Sequence, residues 1–202
     1  MGNYNFNIIR TIVIFKVIAL VLRSLIFMSD KGSLIATNPS RFARRNISAI
    51  IDASEIFLET PKNPVLQKLT WSQYKHHNTA KILVAITPNS FITFVSKAYP
   101  GSISDKKITN LSKFLEIPPM YSVVMADKGF NIDEECTNHF LYINKPPGKR
   151  GAYQMLLDDI QKTKEVANRR ILVEQVIRQK ELSTICSELL TGMTTSRWVR
   201  LL

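Results

Sequence analysis

Two short apolar runs in this chain each stop at an aspartate, and this narrows the folds open to it. Ile47-Ser48-Ala49-Ile50-Ile51 ends on Asp52, and Val123-Val124-Met125-Ala126 ends on Asp127, before Lys128-Gly129-Phe130. Runs this short and this rich in Ile and Val read as buried strands. Two more acids punctuate the chain. Asp105 closes Gly101-Ser102-Ile103-Ser104-Asp105, and Glu174 sits in the helical stretch Arg169-Arg170-Ile171-Leu172-Val173-Glu174. Carboxylates at strand ends, plus one on a later helix, supply the oxygen donors that hard divalent cations prefer. A pair of such cations can clamp the attacking and leaving oxygens of a phosphodiester displacement.

The rest of the pattern places these acids on a fold. A strand is predicted over 47–58. Residues 60–77 read as a Pro-, Lys- and aromatic-rich loop, with Pro61 and Pro64 blocking regular structure. Strands over 78–87 and 91–98 flank a turn at Pro88-Asn89-Ser90 and form an antiparallel hairpin. Ser102 or Ser104 then caps a helix running to about residue 115, with Asp105 in its first turn. A strand over 121–127, a short helix over 133–140 and a strand over 141–143 follow. A helical pattern covers 156–190, with Val166, Val173 and Ile177 on one side. The order β, β, β, α, β, α, β, α is that of an α/β (α+β) ribonuclease H-like fold, a five-stranded mixed sheet flanked by helices. In that order the first and fourth strands are neighbours, so Asp52 and Asp127 lie side by side, and the last helix can bring Glu174 to them.

Charge says what such a site would face. The chain has 27 Lys+Arg against 16 Asp+Glu, a net charge of +11, which favours a polyanionic partner. The surplus sits in the flanks, while residues 51–143 balance at nine and nine and hold three of the four punctuating acids. Basic flanks around an acidic centre suit a protein that grips a phosphate backbone and works on it with metals. Cys136 and Cys186 form no C-x-x-C pair and read as reduced structural thiols in an intracellular protein. Arg10, Lys16 and Arg23 interrupt the apolar stretch 7–28, which reads as a docked amphipathic helix and not a membrane span. Residues 29–46 read as a basic linker.

Five blocks then resemble one family, in its order. They are Ile51-Asp52-Ala53-Ser54-Glu55-Ile56-Phe57; Thr70-Trp71-Ser72-Gln73-Tyr74-Lys75-His76-His77-Asn78-Thr79-Ala80-Lys81; Val95-Ser96-Lys97-Ala98-Tyr99-Pro100-Gly101-Ser102-Ile103-Ser104-Asp105-Lys106; Ala126-Asp127-Lys128-Gly129-Phe130; and Arg170-Ile171-Leu172-Val173-Glu174. The chain is similar to the DDE nuclease domain of Harbinger-type and THAP-linked transposases. The resemblance implies metal-dependent cleavage of DNA and strand transfer, with Mg²⁺ or Mn²⁺, two ions in all, as cofactor, in the nucleus. It puts the catalytic triad on Asp52, Asp127 and Glu174, and a further acid of the metal site on Asp105. The organisation it implies is a degenerate or truncated amphipathic helix and basic linker at 1–46, the nuclease domain at 47–182, and a divergent tail at 183–202. No Cys/His spacing of a zinc-type DNA-binding module is present. Recognition of specific DNA ends would then fall to a separate DNA-binding accessory protein. Monomer and oligomer both stay open. On this reading the chain can be a truncated or decayed copy of such a nuclease; the alternative is a domesticated protein that binds DNA or a partner on the same scaffold without cutting.

Plainer readings stand beside these. Asp105 in a helix first turn is favoured by the helix dipole alone. Glu174, with Arg170 and Arg178 four residues to either side, can be a solvated ladder. Alternation puts Glu55 on the opposite strand face from Asp52, so Glu55 and Glu59 read as supporting or surface acids. For DNA contact, residues 68–81 interleave Lys68, Lys75, Lys81, His76 and His77 with Trp71 and Tyr74. Cations there can meet phosphates and rings can stack on bases, unless Trp71 and Tyr74 fold back onto the core. Lys128, Lys145, Lys149 and Arg150 are further candidates to steady phosphates.

Overall fold

A computed structural model of the chain describes residues 24–37, 39 and 46–145, together with Val17 and Val21. The helix expected over 156–190 lies outside the described residues, as does most of the helix expected over 7–28.

The sheet is organised by two long strands. β1 (Ile47–Phe57) pairs antiparallel with β3 (His77–Ile86) from Ile50↔Ile86 to Phe57↔Thr79. On its other side β1 takes a parallel strand, β6 (Val123–Met125), through Ala49↔Val124 and Ile50↔Met125. β7 (Tyr142–Asn144) extends the sheet parallel to β6. Three short pieces share the outer edge of β3: β2 (Trp71–Ser72), β5 (Tyr99–Pro100) and β4 (Ile92–Val95). Seven strands therefore fill five lanes, in the mixed arrangement of a ribonuclease H-like nuclease fold.

Alternation along the strands sorts the core into two clusters. Ala49, Ile51, Leu83, Ala85 and Val124 pack with Ile108, Phe114, Phe130, Ile132 and Cys136. Ile50, Ile56, Ile82, Val84, Ile86 and Met125 form the second cluster. Phe114 is fully buried and meets Phe94 at 5.4 Å between ring centroids. Burial of a side chain of that size stabilises by about 1.5–3 kcal/mol.

Several local expectations need correction. Residues 60–77 are not a loop throughout: Pro64–Thr70 is a helix, α2, once the helix Lys31–Thr37 is counted as α1. Pro64 opens α2, where its missing N–H costs nothing, and the Asn63 side chain accepts from Val65 N at 2.9 Å. The supposed linker likewise contains α1, whose start is held by Asp30 accepting from Ser33 N and Ser33 Oγ. Helix α3 (Asp105–Leu111) is capped by Ser104, as one of the two expected serines. It ends short of residue 115 because Lys113 turns left-handed at φ 58°, and a 3₁₀ turn, Phe114–Glu116, follows. Helix α4 (Asp133–Asn138) stops before Phe140, which is also left-handed at φ 55°.

Candidate active site

Asp52 and Asp127 are brought to one level by strand pairing. Each lies two residues beyond the parallel pair Ile50↔Met125, so continuing the register sets them beside each other. Ile50 and Met125 share the second core cluster, and the two-residue period carries both aspartates toward that same face. Both are half-buried. Asp52 Oδ1 accepts from Ala53 N at 2.9 Å, and Asp127 Oδ1 from Lys128 N at 2.6 Å. These contacts orient the carboxylates locally. Glu174 lies outside the described residues.

The donor chemistry fits a hard divalent cation. Two carboxylates on adjacent strands, Asp52 inside β1 and Asp127 just past the end of β6, offer oxygen ligands, which Mg²⁺ and Mn²⁺ take in preference to thiolate or imidazole. Cys136 is no competing ligand, since it is buried and its burial pushes the thiol pKa up to about 11. Among the described residues no group of three or more His, Cys, Asp or Glu side chains is placed to hold a metal ion.

Asp105 occupies a different place. It sits in the first turn of α3, which packs through Ile108 on the first core cluster, opposite the face of Asp52 and Asp127. Its Oδ1 lies 3.4 Å from Lys81 Nζ. The same ammonium is 3.4 Å from Glu55 Oε1 and donates to the Ile103 carbonyl at 3.0 Å. Thr79 Oγ1 donates to Glu55 Oε2 at 2.9 Å.

Lys81 is thus turned inward, with a side chain only 12 % exposed, and does not join the basic surface expected of it. The signal was present in the sequence. Lys81 keeps step with Leu83 and Ala85, on the strand face that the first core cluster buries. Glu55, opposite Lys81 in the register, belongs to this buried group by the same parity.

The other candidates around residues 68–77 are solvent-facing. Lys68 ends α2 on the surface, Trp71 is 40 % exposed and Tyr74 is 79 % exposed. The Tyr74 ring stands clear of the core, while Trp71 is more than half covered. Lys75 Nζ stands 4.9 Å from the Tyr74 ring centroid, a cation–π contact at the tip of the β2–β3 hairpin. His76 is exposed at φ 51°, and His77 meets Phe57 edge-on at 5.2 Å. The hairpin has a firm root. Asn78 is buried, and its Nδ2 donates to Gln67 O and to Thr70 Oγ1, each at 2.8 Å.

Lys128 is exposed directly after Asp127. Lys145 is ion-paired to Asp133. Lys149 and Arg150 lie outside the described residues.

With this geometry in view, a family model described as DDE superfamily endonuclease matches residues 51–181 of the 202. No curated protein and no solved structure matches the chain.

Proposed function

The chain belongs to the DDE superfamily of endonucleases, and on that premise we propose that it cuts DNA by metal-assisted phosphodiester displacement, as a Harbinger-type, transposase-derived nuclease of the nucleus. Asp52, Asp127 and Glu174 are the residues that would hold one or two Mg²⁺ or Mn²⁺ ions. When bound, such ions lower the pKa of a water or a 3′-hydroxyl and offset charge on the leaving oxygen. The chain's own part is to hold carboxylates in register, to grip the backbone and to present the scissile phosphate. Lys68, Lys75 and His76 would meet phosphates, Trp71 and Tyr74 would stack on exposed bases, and Lys128 would steady a phosphate near Asp127. Lys149 and Arg150 would extend that grip. Choice of DNA ends falls to an accessory DNA-binding protein.

The observation that supports this reading is the parallel pair Ile50↔Met125, with Asp52 and Asp127 each two residues further along their own segments, on a chain of this family. The purified chain should nick plasmid DNA in Mg²⁺ or Mn²⁺, and Asp127→Ala should abolish nicking. Equal cutting by wild type and variant would remove the proposal.

One observation favours a second reading, in which the chain binds DNA without cutting. The exposed Tyr74–Lys75 tip is separate from the carboxylates and needs no metal. That reading predicts salt-dependent DNA binding that survives Asp127→Ala, with no cleavage in either protein.

A further inference from the structure

We propose that Lys81 and Asp105 are a positioning pair that seats the turn bearing Asp127, and that Asp105 is not a metal ligand. The inference rests on the metal-dependent reading above and deepens it.

Asp105 approaches the site from the wrong side for a ligand. Helix α3 covers the first core cluster, whereas the register carries Asp52 and Asp127 toward the second. The Asp105 carboxylate is also already engaged. Its Oδ1 faces the Lys81 ammonium at 3.4 Å, and that ammonium is shared with Glu55 at 3.4 Å. A cation placed on Asp105 would meet the Lys81 charge at close range and be repelled by it.

The other oxygen of Asp105 faces the turn. A β-carbon at Gly129 would lie 3.2 Å from Asp105 Oδ2, so the turn backbone passes directly against the carboxylate. That turn is closed by Phe130 N donating to Asp127 O at 3.1 Å, and Lys128 N donates to Asp127 Oδ1 at 2.6 Å. Beyond the turn, Lys106 of α3 pairs with Glu135 of α4 at 2.8 Å. Helix α3 therefore holds both the turn that carries Asp127 and the helix that follows it. Lys81 fixes the start of α3 twice, through Asp105 and through the Ile103 carbonyl at 3.0 Å. Removing the ammonium would leave the buried Glu55 carboxylate without its counter-charge, which a fold resists by shifting the groups around it.

Amide hydrogen exchange on the metal-free full-length chain tests the pair. Asp105→Asn and Lys81→Met should each speed exchange at the Lys128 and Phe130 amides by about tenfold or more, because the turn opens locally. The Leu83 and Ala85 amides of β3 should stay at the wild-type rate. No change at 128 and 130, or equal acceleration throughout the sheet, would overturn the proposal. If Lys81→Met does not fold, Asp105→Asn carries the test.

Calorimetric titration with Mn²⁺ supplies the second arm. Asp105→Asn should weaken binding by about 10–100-fold, the range of a residue acting behind the ligands, while Asp127→Asn should abolish it. Equal loss in both variants would restore Asp105 as a ligand. Wild type that binds no Mn²⁺ would remove the functional reading, and the exchange pattern would still decide the pair.

Discussion

Gly101 lies so close to Thr79 that a β-carbon on it would stand 2.1 Å from Thr79 Oγ1. The Thr79 and Thr70 carbonyl oxygens would be at 2.8 and 2.7 Å. Gly101 N donates to Thr79 O at 2.9 Å, and Ser102 N donates to Leu69 O. The end of α2, the first part of β3 at Thr79 and the start of the link to α3 thus meet over a residue without a side chain. Gly101→Ala forces these backbones apart, and overpacking of this kind costs about 1–3 kcal/mol. The expected outcome is a lower midpoint in thermal unfolding. An unchanged midpoint would show that the junction gives way freely.

The hairpin tip should act on DNA independently of the carboxylates. Tyr74→Ala is expected to weaken single-stranded DNA binding by about 1–3 kcal/mol if the ring stacks on a base. Lys75→Ala should instead reduce the salt slope of binding by about one ion. Fluorescence anisotropy across a salt series separates the two. Binding unchanged in both variants would take the hairpin out of the interface.

Acid should loosen the α3–α4 contact. The Lys106 ammonium holds the Glu135 carboxyl below its ordinary range, and Lys145 does the same for Asp133. A carboxyl whose folded pKa is depressed adds stability above its unfolded pKa, and loses it as pH falls through the folded value. In the same pair Glu135 raises the Lys106 ammonium, whose share is kept at neutral pH and lost only as pH rises beyond the ordinary lysine range. Denaturant titrations on the acid side of the ordinary carboxylate range should show falling stability. Lys106→Met should flatten that fall, and an identical slope in the variant would rule the pair out as its source.

Cys136 should be chemically silent in the folded chain. Its thiol is buried, and burial lifts its pKa to about 11, so little thiolate forms near neutral pH. Peptide mapping after iodoacetamide at neutral pH should find Cys136 unmodified until denaturant is added. Rapid labelling in the native protein would mean that the α4 packing opens readily.

Much of this layout could be read from the residues, and the exceptions have physical reasons. The apolar runs that stop at Asp52 and Asp127 are legible because buried strands announce themselves by composition, and the ribonuclease H-like order makes those strands neighbours; β1 itself runs on past Asp52 to Phe57. α2 was hidden because Pro64 was read as a breaker, although a proline in the first helical turn disrupts nothing. α1 was hidden in a basic stretch, and its signal was the Asp30 cap. Lys81 departs from the basic surface that its charge suggests, because its parity with Leu83 turns it inward. β5 had no local signal, since two residues including Pro100 count as a strand only through pairing with Ala80 and Lys81. Asp105 was legible as a helix-start acid, while its salt bridge to Lys81 depended on the fold's bringing α3 against β3.

The three pieces along β3 have a consequence for how copies of this chain meet. An uninterrupted outer strand offers a row of unpaired amides to any passing chain. Here that margin is divided among β2, β5 and β4, pieces of two, two and four residues, with Pro100 removing one donor. Such a broken margin gives no template for sheet-to-sheet growth. Copies of this chain that crowd together are thereby guarded along this margin against zipping into aggregates with their neighbours.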